Sequence, residues 1–103
     1  MGPGLLESVY QNCLFEELEQ RKIEVKQMVT IPLFYRGKLL NKEYVIDLLV
    51  EDEIIVELKA AECLLPVHEA QVISYLRLAK KKIGLLINFN VPLLKQGFRR
   101  FIN

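Results

Sequence analysis

Two carboxylates and an amine, Asp47, Glu57 and Lys59, fall within seventeen residues, Tyr44–Ala60, YVIDLLVEDEIIVELKA, and together offer a cation ligand set with a positive charge beside it. Two runs rich in aliphatic and β-branched residues, 44–50 and 54–60, flank Glu51, Asp52 and Glu53, the pattern of a β-hairpin. Strand side chains alternate faces, so Ile46, Leu48, Val50, Ile54, Val56 and Leu58 are expected to form a core face. The other face then carries Val45, Asp47, Leu49, Ile55, Glu57 and Lys59, with its three charges gathered at one end. A three-residue loop pairs Val50 with Ile54 and sets Asp47 opposite Glu57, about 5 Å apart at Cβ. A two-residue loop would turn the aliphatic set outward, so the apolar pattern favours the odd loop. That loop lacks the glycine such hairpins prefer.

Carboxylates held so close on apolar strands repel one another and are costly to bury unless a cation neutralises them. An all-oxygen set suits Mg²⁺ or Mn²⁺ better than zinc. Lys59, on the same face as Glu57, adds a positive charge that would orient a water or stabilise a pentacoordinate phosphate. Glu-x-Lys by itself is also a common solvated ion pair; its place opposite an aspartate on an apolar hairpin is what gives it a chemical reading.

The elements that position these groups follow from periodicity. After Gly2-Pro3-Gly4, apolar residues at Leu6, Val9, Tyr10, Cys13, Leu14 and Leu18 predict an amphipathic helix to about Gln20. Glu7 lies on the flank of that stripe, either favoured there by the helix dipole or acting as a third acid directed at the metal site. Residues 23–35 predict a strand bent at Pro32 and near a sheet edge, with Arg36-Gly37-Lys38 as the turn into the hairpin. Pro66 suits the first position of a helix reaching about Ala79. On it His68, Gln71 and Tyr75 form a polar stripe that either faces one site or serves surface hydrogen bonding and packing. Ile83–Asn88 predicts a buried strand parallel to the one carrying Glu57, the outcome of a right-handed βαβ crossover. Pro92 is expected to close the sheet, Leu93–Lys95 to turn, and Phe98–Ile102 to add a small edge strand.

With 103 residues, 51% hydrophobic and 26% charged, the chain suits a single domain spanning 1–103. No apolar run approaches the ~18 residues of a membrane span, and no basic and apolar signal segment opens it, so a cytoplasmic protein without membrane contact is expected. Cys13 and Cys63 form no metal-ligand spacing with His68, and Cys13 on the apolar stripe is expected to be buried and reduced. The net charge is +1, yet from Ala70 onward there are seven basic residues and no acidic one. That asymmetry is compatible with a phosphate-facing surface, though a solvated lysine run is the commoner explanation of any one cluster.

Asp, then Glu-x-Lys across a hairpin, resembles the PD-(D/E)XK nucleases, whose common core is helix, three-stranded meander, helix and parallel strand. The resemblance implies an α/β (α+β), restriction-endonuclease-like fold, a mixed sheet of about four strands flanked by two helices. Gly4-Leu-Leu-Glu7-Ser-Val-Tyr10 is similar to the signature of the bacterial GxxExxY proteins, a branch of that superfamily. IDLLVEDEIIVELKA, LLPVHEAQVISYL and GLLINFNVPLLKQGFRR are similar to its other blocks, so the likeness covers nearly the whole chain. It implies that Asp47 and Glu57 bind metal, that Lys59 is the catalytic lysine, that Glu7 is the helix-borne acid, and that Gln71 is the polar residue of the second helix. Tyr10 and Tyr75 would line the site or merely pack. The family usually carries a further helix before the Gly-Pro-Gly turn; the sequence here is either a natural short form or a fragment, and an exposed patch at that place would weaken stability or promote self-association.

The expected function is therefore a Mg²⁺- or Mn²⁺-dependent nuclease acting on nucleic acid, DNA more than RNA, with structure-selective cleavage or a homodimer expected rather than a monomeric restriction enzyme. Two other classes remain: a non-catalytic nucleic-acid-binding or regulatory module that keeps the nuclease fold, and a protein-interaction domain indifferent to alanine at Asp47 and Glu57.

Overall fold

The computed structural model describes residues 3–61, 63–89 and 97–103, and within them every side chain except those of residues 3–6, 35 and 40–43. The chain runs α1 (Pro3–Gln20), β1 (Val25–Tyr35), β2 (Lys38–Val50), β3 (Ile54–Lys59), α2 (Pro66–Ala79), β4 (Ile83–Asn88) and β5 (Phe98–Ile102). The strands form one sheet in the order β1-β2-β3-β4-β5. Only β3 and β4 run parallel, joined by α2 as a crossover connection, while the other pairs are antiparallel. The mixed sheet with two helices is as expected, with five strands rather than about four because 98–102 pair along β4. The expected stop at Pro92 and turn at Leu93–Lys95 lie outside the described residues.

Local chemistry sets the ends of α2. Pro66 opens the helix, where its missing N–H costs nothing. His68 Nδ1 accepts the Leu65 N–H at 3.0 Å, satisfying a donor at the helix start. Lys80 ends the helix in the left-handed conformation, φ 57°, its N–H turned back to the Arg77 carbonyl. Gly84 lets α2 lie directly on β4: a Cβ there would meet Val72 Cγ1 at 2.7 Å.

The expectation of one core face and one charged face is corrected. Both faces of the sheet are covered. Leu48, Val56, Leu58 and Ile87 pack with Leu14 and Phe15 of α1, whereas Ile31, Ile46, Leu49, Ile55 and Leu86 pack with Val72, Tyr75 and Leu76 of α2. Ile46 and Leu48 lie two residues apart yet on opposite faces, and so do Val25 and Val29, four apart on β1. Between them Met28 takes φ +55°, and the β1/β2 ladder omits the position where Met28 stands opposite Asp47. A left-handed residue breaks the pleat, so both strands change face at this pair. Pro32 contributes the second irregularity, a register shift on the same edge strand.

The hairpin loop has the expected three residues, with Val50 paired to Ile54. Glu51 and Asp52 adopt φ of 55° and 56°, the conformation glycine usually supplies. Reciprocal bonds hold the turn in place: Glu51 N–H to the Glu24 carbonyl at 2.8 Å, and Glu24 N–H to Glu51 Oε1 at 3.2 Å. Cys13 corrects a further expectation, being exposed and reduced rather than buried. Leu14 and Phe15 meet the sheet, which turns Cys13 and Val9 to the outer flank of α1. No described helix is long and apolar enough to cross a membrane.

Candidate active site

The regular β2/β3 ladder stops at Leu48–Val56, one pair short of Asp47 and Glu57. In the notch where the strands part, side chains replace the ladder. Leu58 N–H donates to Asp47 Oδ2 at 2.8 Å, and Asp47 N–H donates to Glu57 Oε1 at 3.0 Å. The two acids are thus brought together as the register demands, each gripping the other's strand. Glu57 is only 2% exposed, which corrects the picture of an open charged face.

Burial dominates the electrostatics of the pair. It raises the Glu57 carboxyl to about 8, aided by the negative charge of Asp47 and opposed by the Asp47 N–H and by Lys59. Asp47 is also raised, chiefly by burial and slightly by Glu7, against the Leu58 N–H and the Lys59 charge. Lys59 acts on both acids, which is the juxtaposition its spacing implied.

Glu7, on the inward stripe of α1, accepts the Ala60 N–H at 3.2 Å and shares a cleft of about 660 Å³ with Asp47. It therefore sits at the C-terminal end of β3 rather than in the first helical turn where the dipole acts most strongly. Among the described residues, no three His, Cys, Asp or Glu side chains are gathered closely enough to hold an ion unaided. The donor set that is present, the half-buried Asp47 and the buried Glu57 beside Lys59, suits a hard divalent cation.

On the α2 side, Gln71 Nε2 donates to the Tyr75 hydroxyl at 3.0 Å. Burial raises the Tyr75 phenol, and the charges of Glu57 and Asp47 add to that, so the hydroxyl is within electrostatic reach of the pair. Tyr44 tilts against Tyr75 with centroids 5.5 Å apart. Tyr44, His68, Gln71 and Tyr75 line a second cleft of about 390 Å³. His68 is engaged in capping α2. Tyr10 stacks on Phe89 at 4.3 Å and 8°, a packing contact that ties α1 to the end of β4.

Asn88 was missed in the sequence. Fully buried, it accepts the Ala61 N–H at 3.1 Å and donates to the Ala61 carbonyl at 2.9 Å. This clamp fixes the chain just after Lys59 and Ala60. Its signal was an amide closing the otherwise apolar run Ile83–Ile87. The basic run does not border the acids: Lys80–Lys82 lie beside the hairpin loop at the opposite end of β3, where Lys81 pairs with Asp52 at 3.3 Å.

A notch that holds Asp47, Glu57 and Lys59 at the end of a parallel strand, under two helices, defines a nuclease-like class of fold. The chain matches the model of the PD-(D/E)XK nuclease superfamily over residues 1–101 and belongs to that superfamily. Comparison with curated proteins and with solved structures gives no match.

Proposed function

We propose that this chain, as a member of the GxxExxY branch, is a divalent-metal-dependent nuclease that hydrolyses phosphodiester bonds, with DNA the favoured substrate. The observation that carries the reading is the Asp47–Glu57 pair beside Lys59, with Glu57 buried and Asp47 opening on the cleft, an arrangement chemically suited to a cation. Asp47 and Glu57 would hold Mg²⁺ or Mn²⁺, with Glu7 across the cleft. Such an ion, when bound, polarises the phosphate and lowers the pKa of an attacking water.

The protein's own groups supply the rest. Asp47 and Glu57 are pre-oriented by backbone N–H donors, so little reorganisation is needed at the moment of reaction. Lys59 places its positive charge where negative charge develops on the phosphate or where a water is to be oriented. Gln71 acts through Tyr75, holding the phenol oxygen so that its proton can be directed toward the acids.

One observation favours the binding-module reading: each acid already has a backbone partner and Glu57 is closed from solvent. Metal titration separates the two. For the nuclease, Mn²⁺ or Mg²⁺ raises the melting temperature of the wild type, and Asp47→Ala and Glu57→Ala abolish that rise. Equal metal responses in all three proteins would refute a site at this pair and favour the binding module.

A further inference from the structure

The cleft on the α1 side of Asp47 has walls that the acid pair does not explain. Beside Glu7 and Asp47 it presents the carboxamides of Gln11, Asn12 and Gln27, and no lysine or arginine among the described lining residues. Gln11 Nε2 donates to Gln27 Oε1 at 3.2 Å, which sets the two amides side by side. That bond uses one Gln11 donor and one Gln27 acceptor position, so the Gln27 NH₂ and the Gln11 carbonyl keep hydrogen-bonding capacity for a ligand.

The remaining Gln27 donor beside the remaining Gln11 acceptor matches the adjacent donor and acceptor that a nucleobase edge presents. Met28 adds a polarizable surface at the rim. Its left-handed backbone holds it 58% exposed on the same cleft, where a thioether suits the flat face or edge of an aromatic ring. The volume, about 660 Å³, falls within the roughly 300–1,000 Å³ of small-molecule pockets. A base can offer its pairing edge to such a wall only when it is unpaired.

We propose that this cleft receives an unpaired nucleobase next to the phosphodiester held at Asp47, so that the substrate class is single-stranded or locally unpaired nucleic acid. This rests on the nuclease reading of the acid pair. Gln11 and Gln27 are the base-binding residues and Met28 the surface against which the base lies.

The test measures binding by fluorescence anisotropy in Ca²⁺ to a labelled single strand, its duplex, an abasic strand of equal length and a mononucleotide, with cleavage in Mg²⁺ followed in parallel. The wild type is expected to bind the single strand about tenfold or more tighter than the other three, the scale of one good base-edge contact. Gln11→Ala combined with Gln27→Ala loses that preference. Circular dichroism checks folding, and Gln11→Asn with Gln27→Asn, which withdraw the amides by one methylene each, give the same readout. If the preference and its loss are found without any cleavage, the base site stands and the nuclease reading fails. If duplex, abasic and single strands are bound and cut alike and the variants match the wild type, the base site is overturned while the nuclease reading stands. A mononucleotide bound as tightly as the strand, or no binding of any probe, also overturns it.

Discussion

Glu57 is the residue on which the chemistry and the stability of this protein meet. Its carboxyl is raised from 4.5 to about 8, first by burial and then by Asp47, so between those values the folded chain holds a proton that the unfolded chain has released. The stabilisation from that proton is complete below 4.5 and is lost as pH rises through about 8. Calorimetry of the metal-free protein should therefore show a melting temperature that falls across this window, and Glu57→Gln, which keeps a neutral acceptor for the Asp47 N–H, should flatten the fall. A cation that displaces the proton reverses the trend, so Mg²⁺ or Mn²⁺ should stabilise the wild type more at the upper end of the window than at the lower. Asn88→Ala should cost about 1–3 kcal/mol in urea unfolding, because it strips partners from the backbone N–H and carbonyl of Ala61. That Asp47 and Glu57 come together beside Lys59 was legible from the pairing register. Burial of Glu57 was not, since period-2 alternation says which residues share a face but not what covers that face.

Among the elements, the break at Met28 decides where Asp47 lies. It stands opposite Asp47, the same residue at which the β2/β3 ladder ends. Met28→Val should cost about 1–2 kcal/mol, because a β-branched side chain is strained in the left-handed region. Thr30→Val, two residues along the same strand with ordinary backbone, is the control that should change little. Gly84→Ala should destabilise by about 1–3 kcal/mol through overpacking, since its Cβ would press on Val72 and Leu76 of α2; both are checked by chemical denaturation. The two helices and the parallel strand could be read from the sequence because Pro66, the 3.6-residue stripe and an unbroken apolar run are local signals. The change of face could not, because Ile46, Leu48 and Leu49 are all apolar, and alternation carries no information when both sides of a strand are buried. Nor does any local propensity mark Met28 for positive φ.

Across the whole molecule, charge is distributed by the topology rather than by the order of the chain. The C-terminal excess of basic residues suggested one phosphate-facing surface, but the crossover carries Lys80–Lys82 to the far end of the sheet, against the acidic hairpin loop. Arg99 and Arg100 lie instead on the edge strand β5, with Arg99 4.0 Å from Glu69 at the start of α2. The acid notch is thus flanked by a polar amide cleft on one side and a tyrosine-lined cleft on the other, an arrangement suited to admitting a strand beside the carboxylates. The proposed nuclease needs Asp47, Glu57 and Lys59 together with a bound cation to cut a phosphodiester. Its most direct test is cleavage of end-labelled DNA and RNA by wild type, Asp47→Ala and Lys59→Ala in Mg²⁺, Mn²⁺ or EDTA, each variant confirmed as folded. The expected result is cutting by the wild type that EDTA abolishes and that falls by on the order of 10²–10³-fold or more in each variant. Cutting that survives EDTA or persists in both variants, or a folded wild type that binds nucleic acid yet cuts none of it with either metal, would rule out metal-dependent hydrolysis at these three residues.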